Sequence, residues 1–161
     1  MTLLDKPFKA TGKLSRGEAN HLADLLDSGD YEQSSAWLRV RDTNGRERFC
    51  CIGVYGVNCD AVESHREADH NMGYTFWYKG DHQSCSTSFL PFAVLSEHLQ
   101  TQLSVLNDEY LTFPQVANVL RHHFDARKQQ LKPSVIDYIQ SVFAGERQDD
   151  VEVRRRCRMT P

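Results

Sequence analysis

Two adjacent cysteines, Cys50 and Cys51, are the residues of this sequence best suited to covalent chemistry. They follow a predicted strand and open a predicted helix, where the helix dipole can lower the pKa of a thiol. A cysteine hydrolase or transferase also needs a histidine as base, and His82 is the first candidate. The alternatives are His65, His70 and His98. Because none of these lies in a histidine motif, we predict that both cysteines are core residues, with a thiol enzyme using Cys51 as the competing hypothesis.

The polar region from residue 59 to residue 85 contains several residue types that bind zinc. These are Cys59, His65, Asp69, His70, His82 and Cys85. Their spacing includes no Cys-x2-Cys pair, and adjacent cysteines chelate a metal poorly. We therefore predict solvated loop histidines, no metal site and no cofactor.

A protein-binding surface is the hypothesis that needs no missing catalytic residue. Residues 74–79 are rich in aromatic side chains and predict a strand whose exposed members would suit an interface. The candidate binding residues are Trp77, Tyr74, Phe76, Tyr78 and Trp37, with the acidic Glu63, Glu67 and Asp69 beside them. The acidic group would steer binding towards a basic partner.

Composition limits the other classes of function. The chain has 161 residues, 40% of them hydrophobic, and a net charge of −3. A basic segment at 154–158 follows directly on acidic residues that offset its field, so we do not expect nucleic-acid binding. The apolar runs are too short to span a bilayer, and residues 1–13 lack the apolar core of a signal peptide. These features predict a cytoplasmic protein that does not bind membranes, and they leave self-association open.

Local patterns predict an α+β fold with a small antiparallel sheet, an N-terminal helix and a helical C-terminal half. A capping box from Ser15 to Glu18 precedes an apolar stripe and predicts a helix over Arg16–Asp27. Asn44-Gly45 predicts a hairpin with a type I′ turn. The polar stretches 59–73 and 80–88 are predicted to be loops. Residues 1–145 are predicted to form one domain, followed by a charged tail at 146–161.

Three small residues lie at intervals of three in the segment after the hairpin. These are Gly53, Gly56 and Cys59. Positions i and i+3 are neighbours on one helix face, so the helix predicted from Cys51 to about Asn58 would present a strip without bulky side chains. This pattern predicts that another backbone packs closely against the helix.

Three motifs carry a resemblance to a known family. Residues 25–33 read Leu-Leu-Asp-Ser-Gly-Asp-Tyr-Glu-Gln, residues 49–54 read Phe-Cys-Cys-Ile-Gly-Val, and residues 106–108 read Leu-Asn-Asp ahead of Phe113. Together they resemble a family of small phage and prophage proteins of uncharacterised activity. The resemblance covers about residues 22–124, and the chain departs from the pattern in a histidine-rich loop at 63–70 and an extended C-terminus.

The resemblance implies a phage gene product in the cytoplasm of the host bacterium, with no catalytic mechanism shared by the family. By analogy with other small phage proteins, the leading hypothesis is a non-enzymatic factor that binds and modulates a host protein, in host takeover or counter-defence. The thiol enzyme remains one alternative. The other is a protein that sequesters a small ligand in a pocket between the sheet and the C-terminal helices.

Overall fold

A computed structural model describes residues 7–66 and 73–144, with the backbone alone for residues 81–85. This part of the chain contains five helices and eight strands. In order they are α1 (Arg16–Asp27), β1 (Glu32–Gln33), β2 (Arg39–Arg41), β3 (Glu47–Phe49), α2 (Cys51–Val57), β4 (Val62–Arg66), β5 (Tyr74–Tyr78), β6 (Asp81–Ser86), α3 (Glu97–Val105), α4 (Phe113–His122), β7 (Phe124–Asp125), β8 (Gln130–Leu131) and α5 (Val135–Phe143). A π-helical turn, Leu106–Tyr110, continues α3. The α+β prediction is confirmed, and the predicted tail at 146–161 lies outside the described residues.

The strands form three small sheets rather than the single sheet that we predicted. The first has the order β1-β3-β2, the second β4-β5-β6, and β7 and β8 form a separate hairpin. An isolated β-bridge between Val40 and Gly73 joins the first two sheets. The predicted loops at 59–73 and 80–88 each contain a strand, because β4 and β6 are largely polar and lack the apolar alternation by which a strand is recognised.

The hairpin between β2 and β3 is confirmed, but its turn is not of type I′. Gly45 alone has a positive φ, at 80°, whereas a type I′ turn would need one at Asn44 as well. The Asp42 carboxylate accepts hydrogen bonds from the amides of Asn44 and Arg46, at 2.9 and 3.0 Å. This side-chain cap selects a longer loop with glycine in the left-handed position.

The N-terminal helix α1 forms as predicted. Ser15 and Glu18 make the reciprocal capping box, and the apolar stripe of the helix is buried. This stripe packs against α4, where Arg121 bridges the carboxylates of Asp24 and Asp27. Arg16 reaches the same helix and donates to the carbonyl of Leu120 at 2.7 Å.

Helix α2 lies at the centre of the molecule, and six of its seven residues are buried. Gly53 faces the backbone of Leu38, so closely that a Cβ at this position would lie 1.6 Å from the Leu38 carbonyl oxygen. Gly56 faces the side chains of Leu90 and Phe76. The predicted close approach of another backbone is therefore confirmed at Gly53.

An ionic cluster connects the first two sheets. The Glu47 carboxylate accepts from Arg39 and Arg41 at 2.8 Å and from the Tyr74 hydroxyl at 2.7 Å. The Arg39 guanidinium also lies over the Tyr74 ring, 4.0 Å from its centroid. Partial burial would raise the pKa of Glu47, but the three hydrogen bonds outweigh this effect and lower the pKa to about 2.

Candidate functional site

The cysteine pair lies where β3 turns into α2, and both side chains are buried. Cys50 is the N-cap of α2, and its Sγ accepts from the Gly53 amide at 3.3 Å. The Sγ of Cys51 is fully buried and donates to the carbonyl of Leu103 at 3.6 Å. Both thiols are therefore engaged inside the protein.

The expected lowering of the thiol pKa at the helix start is wrong. Burial raises the pKa of Cys50 to about 12 and that of Cys51 well above its ordinary value. Loss of hydration outweighs the favourable field of a seven-residue helix, and the Asp108 carboxylate opposes ionisation further. His65 and His98 lie on the surface, while the side chain of His82 and all of His70 are outside the described residues. Neither Cys50 nor Cys51 is therefore placed to act as a thiolate nucleophile at neutral pH.

We predict that native Cys50 and Cys51 react with iodoacetamide about a hundredfold or more slowly than in the urea-unfolded chain. Site-resolved mass spectrometry after timed labelling would measure each thiol separately. Cys59 is also buried, and its labelling rate in the same sample is compared with the rates of Cys50 and Cys51. Rapid labelling of Cys51 in the folded protein would contradict the assignment of both thiols to the core.

The described side chains do not form a metal site. Within residues 7–66 and 73–144, no three His, Cys, Asp or Glu side chains lie close enough together to hold an ion. Several of the zinc-type residues in the sequence fall outside this search. They are Asp69, His70 and the side chains of His82 and Cys85.

A buried polar cluster surrounds the cysteine pair, centred on Asn107 in the π-helical turn. Its Oδ1 accepts from the Cys51 amide at 3.2 Å and from Gln33 Nε2 at 3.1 Å. Its Nδ2 donates to the Ser34 carbonyl at 2.8 Å and to Asp108 Oδ1 at 2.9 Å. The amide of Asn107 therefore caps the start of α2 and ties it to the segment around β1.

Gln33 and Asp108 extend this cluster to the neighbouring segments. Gln33 Nε2 also donates to the Leu111 carbonyl at 2.9 Å, and its Oε1 accepts from the Phe113 amide at 3.0 Å. Asp108 Oδ1 accepts from the amide of Ala36, a residue with a positive φ of 68°. A non-glycine residue adopts a positive φ only at a cost in conformational energy. The hydrogen bond from the Ala36 amide to Asp108 therefore helps to hold the chain in this conformation.

The three motifs behind the family resemblance thus meet at one place. Gln33 comes from the first motif, Cys50 and Cys51 from the second, and Asn107 and Asp108 from the third. Each supplies backbone caps and buried hydrogen bonds, which define a unique packing arrangement. The motifs therefore have a structural role that accounts for their residue types without catalysis.

The predicted aromatic surface must be corrected at two positions. Phe76 is fully buried and Tyr74 is 7% exposed, because both face the core from β5. Trp37 is half-buried and packs over Gly73, where a Cβ would lie 2.0 Å from the indole ring. Of the four aromatic residues in β5, Trp77 and Tyr78 remain partly accessible.

Trp77 and Tyr78 face different surroundings, since successive side chains of a strand point to opposite faces. Trp77 lies beside β4, where its Nε1 donates to the exposed Glu63 at 3.2 Å. The ring of His65 lies 6.2 Å away. Glu67 and Asp69, the other predicted acidic binding residues, are outside the described residues.

Tyr78 lines a groove of about 470 Å³ that runs between the second sheet and the segment before α3. The other lining residues are Ser86, Phe89, Leu90, Pro91, Phe92 and Ala93. Phe89 and Phe92 meet edge to face with their centroids 6.2 Å apart, and they are 36% and 52% exposed. We call this feature the aromatic groove.

Sequence reasoning missed Phe89 and Phe92. The two phenylalanines bracket Leu90-Pro91 at the i, i+3 spacing of one helix face, but the next helix, α3, begins only at Glu97. Only Leu90 of this group is fully buried. A pair of large aromatic side chains flanking a proline was the available signal.

Comparison with known proteins adds no relative: no family model, curated protein or solved structure matches this chain. Within residues 7–66 and 73–144, every helix falls short of the length and apolar character needed to cross a bilayer.

Proposed function

We propose that this chain is a phage-encoded accessory factor that binds and modulates a host bacterial protein in the host cytoplasm, without catalysis. The observation that carries the proposal is the aromatic groove. The family resemblance supports the phage origin. The burial of both candidate thiols supports a binding role over the cysteine enzyme.

The exposed phenylalanines favour protein binding on energetic grounds. Each leaves apolar surface in water, and full burial of such a side chain is worth about 1.5–3 kcal/mol. Neither is needed in the core, which closes beneath them through Leu90. Clustered aromatic side chains above a closed apolar floor are typical of interface hot spots.

The chemistry of the groove indicates what the partner inserts. Among the described side chains, those that line the groove are aromatic, aliphatic or hydroxyl-bearing, and none of these is charged. A charged group buried there would lose its hydration without gaining an opposite charge. The partner is therefore expected to place an uncharged, apolar segment over Phe89 and Phe92.

Three single substitutions to aspartate test the proposal. Phe92→Asp alters the aromatic groove, Trp77→Asp alters the opposite face of β5, and Gln140→Asp on the exposed side of α5 is the control. Each tagged variant would be purified from host cells beside the parent chain, and native mass spectrometry would identify bound host polypeptides. We expect Phe92→Asp to lose a partner that the control retains.

The outcomes separate the competing surfaces. Loss of the partner in Trp77→Asp alone would move the binding site to the face beside Glu63. Retention in all three variants, or a homo-oligomer without a host polypeptide, would contradict the proposal. Melting curves of each variant would show that a lost partner does not reflect a lost fold.

A further inference from the structure

The hydrogen-bonding groups around the aromatic groove restrict the conformation of the segment that can bind there. We propose that the groove binds a proline-rich segment in the polyproline II conformation, an extended left-handed helix with three residues per turn. This inference rests on the proposed function, because it names the chemistry that the host protein brings to the same surface.

The backbone amides along one wall of the groove already have partners inside the protein. The Phe89 amide donates to Ser86 Oγ at 3.2 Å, and the Leu90 amide donates to Gln100 Oε1 at 2.8 Å. Pro91, the next residue, has no amide hydrogen. A β-strand laid along residues 89–91 would therefore lack the donors that strand addition requires.

Two hydroxyl groups among the lining side chains can donate to a ligand. Ser86 Oγ accepts from the amides of Ser88 and Phe89, at 3.1 and 3.2 Å, which occupies its lone pairs and leaves its O–H to donate. Tyr78 carries a phenol that stays protonated, because burial raises its pKa above the ordinary value. The groove thus matches a ligand that presents hydrogen-bond acceptors.

Backbone carbonyls are the acceptors of an uncharged peptide segment, and its conformation decides whether they are available. The carbonyls of an α-helix are used within the helix, whereas a polyproline II helix has no internal hydrogen bonds and exposes them. Other extended segments would also bring N–H groups. The carbonyls of Leu90 and Pro91 already accept from Gln100 and Val94, at 3.0 and 2.9 Å. Proline has no N–H, so a proline-rich segment leaves no such donor unpaired.

The aromatic pair supplies the apolar contact for the proline rings. The centroids of Phe89 and Phe92 lie 6.2 Å apart, and one turn of polyproline II advances about 9 Å, so a single turn spans both rings. The described lining side chains are uncharged, as is a proline-rich ligand. Such a segment is already ordered before it binds, which reduces the entropy lost in an aromatic-lined groove.

NMR titration of the full ¹⁵N-labelled chain with three uncharged, end-capped peptides tests the proposal. They are decaproline, a flexible peptide of five Gly-Ser repeats, and a helical peptide of about 20 alanine and glutamine residues. We expect decaproline to shift amide signals within residues 86–93, with a Kd below about 1 mM, and the other two peptides not to saturate. Failure of decaproline to bind, or tighter binding of either other peptide, would overturn the proposal.

Two variants assign the binding to the groups named above. Tyr78→Phe keeps the ring and removes the hydroxyl, so it should weaken decaproline binding about fivefold to tenfold. Phe92→Ala should abolish saturable binding, while Gln140→Asp should bind as the parent chain does. Phe92 is 52% exposed, so its variant should stay folded, and melting curves would check both. Parent-like affinity in Tyr78→Phe or Phe92→Ala would overturn the proposal.

Competition by decaproline separates this inference from the proposed function. A captured host polypeptide that Phe92→Asp loses should be displaced from the parent chain by excess decaproline. If that polypeptide is not displaced, the proline-rich ligand is wrong and the proposed function stands. If the parent chain captures no host polypeptide, the proposed function itself is contradicted, and the inference about its partner falls with it.

Discussion

Gly53→Ala is expected to destabilise this protein severely. The new Cβ would lie 1.6 Å from the Leu38 carbonyl oxygen and 2.5 Å from its carbon. The Leu38 backbone cannot retreat freely, because its carbonyl accepts from the Cys50 amide at 3.2 Å and its amide donates to Thr87 at 2.9 Å. Overpacking against side chains costs about 1–3 kcal/mol, so a clash between two backbones should cost about 4 kcal/mol or more.

Gly56→Ala is the matched control, one turn along the same helix. Its Cβ would meet the ends of the Leu90 and Phe76 side chains, at 2.8 and 3.0 Å. Side-chain ends can move, so this variant should lose about 1–2 kcal/mol and remain folded. Urea unfolding followed by circular dichroism would compare both variants with the parent chain. A Gly53→Ala protein as stable as Gly56→Ala would show that the approach of Leu38 to α2 is wrong.

Asn107→Ala should cost about 3–5 kcal/mol in the free energy of unfolding. The asparagine is fully buried, and its side-chain amide makes hydrogen bonds to Cys51, Gln33, Ser34 and Asp108. Alanine would leave the Cys51 amide and the Ser34 carbonyl without these partners inside the protein. The cost of leaving buried polar groups unpaired exceeds the gain from the bonds themselves.

Asn20→Ala is a suitable control, since Asn20 lies on the exposed face of α1. This change should shift the free energy of unfolding by less than about 0.5 kcal/mol. Equilibrium urea unfolding of the two variants would measure the difference. A loss below about 1 kcal/mol in Asn107→Ala would contradict the view that this cluster holds the start of α2, since one lost hydrogen bond alone is worth that much.

Short-range patterns allowed a correct prediction of the parts of the fold that depend on neighbouring residues. The capping box of α1 and the need for glycine at Gly53 are both encoded within a few positions. Strands β4 and β6 were not predicted, because both are polar and are stabilised by pairing with β5. The residues of a polar strand do not by themselves indicate such pairing. The turn after β2 differed because the Asp42 side chain selected another loop geometry.

The polar cluster and the aromatic groove could not be predicted from local patterns. Gln33 and Asn107 are 74 positions apart, and only the tertiary fold brings their side chains within 3.1 Å. The exposure of Phe92 depends on what packs around it rather than on its own sequence neighbourhood. The elevated pKa of Cys51 has the same origin, because burial by distant helices decides it.

Photo-crosslinking from position 92 tests the central claim most directly. A benzoylphenylalanine in place of Phe92 would be irradiated in host cells, with the same group at Gln140 as the control. We expect a covalent adduct with one host polypeptide from position 92 and none from position 140. Absence of an adduct at position 92, or equal adducts from both positions, would contradict binding of a host protein through the aromatic groove.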